Sequence, residues 1–462
     1  MDHSIKEEEL RRNLKNRHIQ MIAIGGAIGV GLFYGSAGAI SMTGPSITLA
    51  YLIGGFFIFL IMRALGELSV ATPVSGSFSA YATLYLGRFA GFFSGWTYWF
   101  QGITTVMAEL SVVGIYLQFW FPDFPKWITA LVILALLVTV NLINVKAYGE
   151  FEFWFALIKV VAIICMIIFG ILMIFVGFGN GGNPVGLSNL WVNGGFFAGG
   201  LKGFLMVFIL VAFAFGGVEL IGVTAGEADD PQKSIPKAVN KVFWRIMIFY
   251  VGALAVMVTL YPWNQIGTQG SPFVLVFDKV GIPAAASIIN FVVLTAALSG
   301  MNSALYAITR LLYNLSLNNN APKAFGKVNK AGVPYVGIWF SAVVALIAVV
   351  LNYIVPAKVF DIISSVTVVA IITAWGTILL AQIKFRKEKL AAGEETAFKM
   401  PFWPVSSYLG LAFLAFLIIA MAFLAVTRVA LYVAPVWVLL LVILYHFLRK
   451  GEQKAAGIGI SK

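Results

Sequence analysis

Glu109 in TTVMAELSVVG, Lys159 in FWFALIKV and Glu219 in FAFGGVELIGV each interrupt a long apolar run. An ionisable group inside hydrocarbon costs about 2.5–3.5 kcal/mol on insertion scales, so it persists where a function or a structural pairing requires it. Three such groups can pass protons, pair with one another, or meet a charged ligand. The chain offers little for other chemistry. Its three histidines are His3, His18 and His446, its single cysteine is Cys165, and no metal-ligand spacing, nucleophile elbow or phosphate loop is present. Neither an enzyme nor a resident metal or cofactor is expected.

Backbone chemistry is the second resource. GGAIGVGLF (25–33) crowds Gly25, Gly26, Gly29 and Gly31 into one apolar run, and FAFGGVELIGVTAGE (213–227) sets Gly216 and Gly217 beside Glu219. Each glycine costs a helix interior up to about 1 kcal/mol relative to alanine. In hydrocarbon a helix is interrupted only where it lines a polar cavity or is covered by protein. Freed N–H groups at a half-helix N-terminus suit a carboxylate, and freed C=O groups at a C-terminus suit an ammonium. Two facing breaks therefore make a receptor for a zwitterion. The other reading is close helix packing through small residues.

These groups must be carried by membrane helices. The 462 residues are 60% hydrophobic and 11% charged, with a mean hydropathy of +0.94, far more apolar than a water-soluble domain. Twelve runs can cross about 30 Å of hydrocarbon: 20–40, 46–63, 89–121, 127–145, 153–177, 201–224, 244–262, 283–309, 335–355, 360–383, 404–427 and 429–448. Of 31 Lys and Arg residues, 25 fall on the side of the N-terminus and four (Lys126, Lys279, Lys358, Arg428) on the other. That bias predicts cytoplasmic termini, and it accounts for the net charge of +12 without nucleic acid. The charge-free segment 178–200 reads as a flexible external loop. The two breaks fall in the first and sixth spans, five apart, as in transporters built from inverted repeats. The expected fold is an all-α membrane protein with helices 1 and 6 broken. A tail (1–19) precedes the transport core (20–383), two accessory helices (384–449) and a second tail (450–462).

GGAIGVGLF, GELSVATPVSGSF (66–78), FWFALIKV (153–160) and AGEADDPQKSIPKAV (225–239) occur in an order that resembles the bacterial amino-acid permeases of the amino acid–polyamine–organocation superfamily. The likeness runs from about residue 10 to 450. It implies the five-helix inverted repeat, with spans 1–5 mirrored by 6–10, plus two helices, a bacterial inner-membrane setting, and neutral substrates such as threonine, serine, proline or aromatic amino acids. Carried over by position, it implies that the amides of Val30 and Gly31, beside Gly29, take the substrate carboxylate. The Ala27, Phe213 and Gly216 carbonyls would take the ammonium, and Phe215 would be an aromatic gate.

Lys159 lies about six residues, or roughly 9 Å, above the cytoplasmic end of its span, the depth at which the first-span glycines begin. A lysine there can stand near freed carbonyls in the part that Na⁺ plays in sodium-coupled relatives, and burial disfavours the charged form of any lysine. Snorkelling to the inner surface is the alternative, as it is for Lys202 at the outer edge of span six. Glu219 and Glu109 are further proton candidates, with structural hydrogen bonding as the other role. The expected activity is proton-coupled symport of neutral L-amino acids. Amino-acid exchange, cationic-amino-acid uptake and, remotely, a channel stand as alternatives.

Overall fold

The computed structural model describes residues 28–455 apart from 75–76, 144, 221, 223–229, 267–269 and 280–282. Among these, every regular element is helical. The first expected span enters as two pieces, α1 (Val30–Phe33) and α2 (Gly35–Thr43). After a 3₁₀ turn at Gly44–Ser46 come α3 (Ile47–Ala71), the short α4 (Ser77–Leu86), α5 (Arg88–Gln118), α6 (Lys126–Ile143) and α7 (Val145–Val176).

The second half runs in the same order. Two pieces, α8 (Gly200–Met206) and α9 (Phe208–Phe215), stand where the sixth span was expected. A long helix follows, made of α10 (Pro231–Arg245), a wider π turn at Ile246–Gly252 and α11 (Ala253–Leu260). Next come the short α12 (Pro272–Lys279), α13 (Pro283–Leu317), α14 (Tyr335–Ile354) and α15 (Val359–Ala391). Lengths match across the halves: 31 and 35 residues for α5 and α13, 18 and 20 for α6 and α14, 32 and 33 for α7 and α15. The helices α16 (Val405–Ala422) and α17 (Ala425–Ala455) complete the chain.

Ten helices among the described residues are long and apolar enough to cross a membrane, against the twelve runs counted in the sequence. The difference falls on the two expected breaks. Span one is described only from residue 28, its α2 ending at the turn of Gly44 (φ +68°) before α3, and the described part of span six is the shorter apolar stretch Gly200–Phe215. Hydropathy cannot see such a break, because glycine interrupts a helix without making the run polar.

Other boundaries move. Residues 231–243, left between the expected spans, are helical as part of Pro231–Arg245: Asp230 caps Lys233 N at 3.3 Å and Pro231 opens the first turn, where a missing N–H costs nothing. The last two helices divide at Phe423–Leu424 and not at Arg428, which lies within α17 and donates from Nε to Ala422 O at 2.8 Å. The end of the core expected at residue 383 falls inside α15. Segment 178–200 is tied down: Ser46 N donates to Phe196 O (2.9 Å), Asn189 Nδ2 to Thr259 O (2.8 Å) and Trp263 Nε1 to Asn193 O (2.7 Å).

The long α5 packs chiefly on α13 and α15, which places these three at the centre. The outer helix α17 instead exposes Leu439, Ile443 and Phe447, as a lipid-facing helix must. Near one end of the bundle, buried Glu67 of α3 accepts from Gln382 Nε2 (2.8 Å), Thr396 Oγ1 (2.8 Å) and Met400 N (3.0 Å), and pairs with Arg386. The glutamate of the GELSV stretch thus clamps α3 to α15 and to the segment after it.

Candidate functional site

The sixth-span break is built by its glycines. Helix α9 stops at Phe215, Gly216 turns extended (φ −55°, ψ 137°), and Gly217 takes φ +96°, a conformation that side chains other than glycine's resist. Each freed carbonyl needs a donor. Phe213 O receives Gly216 N at 3.0 Å, Ala214 O receives the Tyr250 hydroxyl at 3.0 Å, and Phe215 O receives Val218 N at 3.3 Å. Tyr250 reaches across from the π turn, a helix irregularity of the kind often found at functional sites.

The first-span break lies against it. A Cβ added at Gly31 would stand 2.6 Å from Ala214 Cα, so the two broken helices touch backbone to backbone. Helix α1 opens at Gly29, whose carbonyl accepts Leu32 N (3.1 Å) and Phe33 N (3.2 Å). The Val30 amide, expected to meet a substrate carboxylate, donates instead to Glu109 Oε1 at 3.3 Å. The glutamate head is cradled by glycines of two helices: a Cβ on Gly29 would come within 2.7 Å of Oε1, and one on Gly300 within 2.8 Å. Its Oε2 is buried and meets no hydrogen-bond donor among the described residues.

Between the breaks lies a cavity whose empty space, mouth included, is about 670 Å³. Gly29, Gly31, Glu109, Phe213, Gly216 and Glu219 from the sequence reading all line it. Phe215 does not. It is fully buried on the far side of α9, between the rings of Tyr51 (5.5 Å) and Tyr250 (4.8 Å). The aromatic of this break that faces the cavity is Phe213, edge-on to Phe360 at 5.6 Å. Residues 213 and 215 are two apart on a helix, so their side chains point roughly 200° from one another. Ala27 lies outside the described residues, as do the tails and residues 225–229 of the AGEADDPQKSIPKAV motif.

Lys159 is fully buried beside the first break: Nζ donates to Ile28 O at 3.1 Å and to Ser299 Oγ at 3.0 Å. Ser299, having one hydroxyl proton, passes it to Glu152 Oε1 at 2.6 Å. The ammonium thus lies in the fields of two carboxylates, Glu152 and Glu109. Glu152 was not singled out in the sequence, although it precedes Lys159 by seven residues and so shares its helix face.

Glu219 accepts on both oxygens: Gln101 Nε2 (2.5 Å) and Gly217 N (3.2 Å) reach Oε1, while Trp375 Nε1 (3.2 Å) and Gly217 N (3.2 Å) reach Oε2. It binds the sixth-span break to α5 and α15. Glu219→Gln turns one accepting oxygen into a donor facing donors, and should destabilise the detergent-purified protein by about 1–3 kcal/mol. An unchanged melting temperature would contradict that hydrogen-bond assignment.

A helix that opens at Gly29 and another that stops at Phe215, touching at a partly polar cavity among membrane-length apolar helices, mark a membrane transporter. The chain belongs to the amino acid permease family, whose profile matches residues 18–454. It is 54% identical over 460 residues (99% of both chains) to the uncharacterized amino acid permease YtnA of Bacillus subtilis (strain 168). It is 51% identical over 451 residues (98% of both) to the probable threonine/serine transporter YbxG of the same strain. With the aromatic amino acid transport protein AroP of Escherichia coli O6:H1 it shares 48% over 443 residues, 96% of this chain and 97% of that one. These relatives are permeases and transporters, so the chain is not an enzyme.

Proposed function

We infer that this permease imports neutral L-amino acids, small ones such as threonine or serine, together with a proton. The observation that carries the reading is the Lys159 ammonium, bonded to Ile28 O at the edge of the first break and linked through Ser299 to Glu152. A substrate carboxylate that takes the Val30 amide must displace Glu109 from it. A neutral, protonated Glu109 releases an N–H more readily than a carboxylate does, so proton and substrate binding favour one another. Glu219, with both oxygens occupied, offers little to a cationic side chain, which weighs against cationic-amino-acid uptake. In proteoliposomes, labelled threonine or serine should accumulate under an imposed pH gradient and be indifferent to Na⁺. Strict Na⁺ dependence would refute proton coupling.

The same reading places both chain termini and the α10 side in the cytoplasm. In a background lacking Cys165, a cysteine at exposed Asn180 should react with an impermeant maleimide added outside whole cells, and one at exposed Lys237 should not. Equal labelling of both would sink this topology.

A further inference from the structure

Gln101 lines the cavity, is 3% exposed, and leaves its Oε1 without a hydrogen-bond donor among the described residues. The orientation of its amide follows from its neighbour. Both oxygens of Glu219 already accept from the Gly217 and Trp375 N–H groups, so the nitrogen of Gln101 is the atom that must face that carboxylate. The amide oxygen is thereby turned from it and, among the described residues, meets no donor. A buried acceptor in this state costs free energy until something donates to it.

The position of Gln101 shows which part of a ligand it meets. Along α5, Gln101, Thr105 and Glu109 repeat every four residues and share the face that lines the cavity. Thr105 spends its hydroxyl proton on Gln101 O at 2.8 Å, so it too offers the cavity an acceptor. Glu109 marks the first-break end, where the proposed carboxylate site lies, and Gln101 lies on the same helix face towards Glu219 of the sixth break. Alongside, α13 lines the cavity with Gly300, Ala304 and Ala307, which leave room, and with Ser303, whose hydroxyl interacts with Glu152.

We propose that Gln101 is a specificity-determining residue whose amide oxygen accepts a hydrogen bond from the side chain of the transported amino acid, selecting substrates with a hydroxyl over isosteres without one. This rests on the amino-acid import reading above and adds to it the chemistry of the side-chain subsite. Nothing is transferred covalently; discrimination arises because an apolar isostere leaves the acceptor unpaired.

The test uses the full chain in proteoliposomes and competition among matched pairs against labelled threonine: threonine and 2-aminobutyrate, serine and alanine. The hydroxyl member of each pair should compete about 10- to 100-fold better in the unaltered protein. In Gln101→Leu that ratio should fall towards one, through weaker threonine binding and not weaker 2-aminobutyrate binding. A purely structural role would instead lower both members together and keep the ratio, and that result would overturn the proposal. So would equal competition within both pairs in the unaltered protein, a measurement that needs no variant. Failure to take up any labelled amino acid would overturn the import reading as well, and so is distinguishable from the loss of side-chain selectivity alone.

Discussion

Replacing Lys159 with alanine should lower pH-gradient-driven accumulation by about 100-fold or more, since removing a buried cation leaves nearby buried carboxylates uncompensated, a loss of roughly 3–5 kcal/mol when buried charges are unpaired. The lysine is fully buried, and its ammonium holds Ile28 O at 3.1 Å and Ser299 Oγ at 3.0 Å. Without it, Glu152 and Glu109 keep their burial and lose the cation they share. The bridge from α7 to the first break also disappears, through which, in the proposed coupling, a proton would bias one conformation over another. Lys159→Arg separates charge from titration, because arginine is effectively never deprotonated. It should retain substrate exchange while losing net accumulation. Uptake of labelled threonine or serine across a range of external pH, with counterflow measured in parallel, checks both. An unaltered pH profile in Lys159→Ala would remove the lysine from the coupling step and leave Glu109 as the next carrier to test.

Gly31→Val should abolish uptake for a different reason. The first and sixth spans meet at this glycine, where even one added carbon would stand 2.6 Å from the Ala214 backbone. The clash is with main chain, which cannot rotate away as a side chain can, so the two broken helices must separate. Overpacking of this kind costs about 1–3 kcal/mol, and valine adds two further carbons that press into the cavity wall. Uptake should fall below detection while the protein still inserts, with a lowered melting temperature in detergent. Gly35→Ala is the control one turn on: its nearest neighbour would be Phe360 Cζ at 3.7 Å, ordinary contact, and transport should persist. Val30→Ala should be mild because the amide that Glu109 now holds is retained. Normal affinity in Gly31→Val would show that the close approach of the two breaks has no bearing on substrate capture.

Reading the chain residue by residue reached a definite depth. Membrane class and helix positions are local properties set by apolar composition; glycine pairs mark where a helix can break, although Gly54 and Gly55 stand inside the unbroken α3. Lys159 could be placed near the first break by counting residues along two helices from a shared surface, because helical rise is constant. What counting cannot supply is rotation. A span that is apolar on every side has no polar face to say which way it turns, and the resemblance that implies a gate at Phe215 does not supply that rotation either: Phe213 faces the cavity while Phe215 packs on Tyr250. The same blindness hid Glu152, Gln101 and the Glu67 clamp. Gln101 meets Glu219 across 118 residues of chain, Ser299 meets Glu152 across 147, and Gln382 meets Glu67 across 315. Each pairing exists only once helices from both halves are packed at a fixed angle and depth. Helix class and candidate break positions were thus properties of the chain itself, whereas the partners of its buried charges came from tertiary packing, because a buried polar group is satisfied by whatever the fold brings within 3 Å of it.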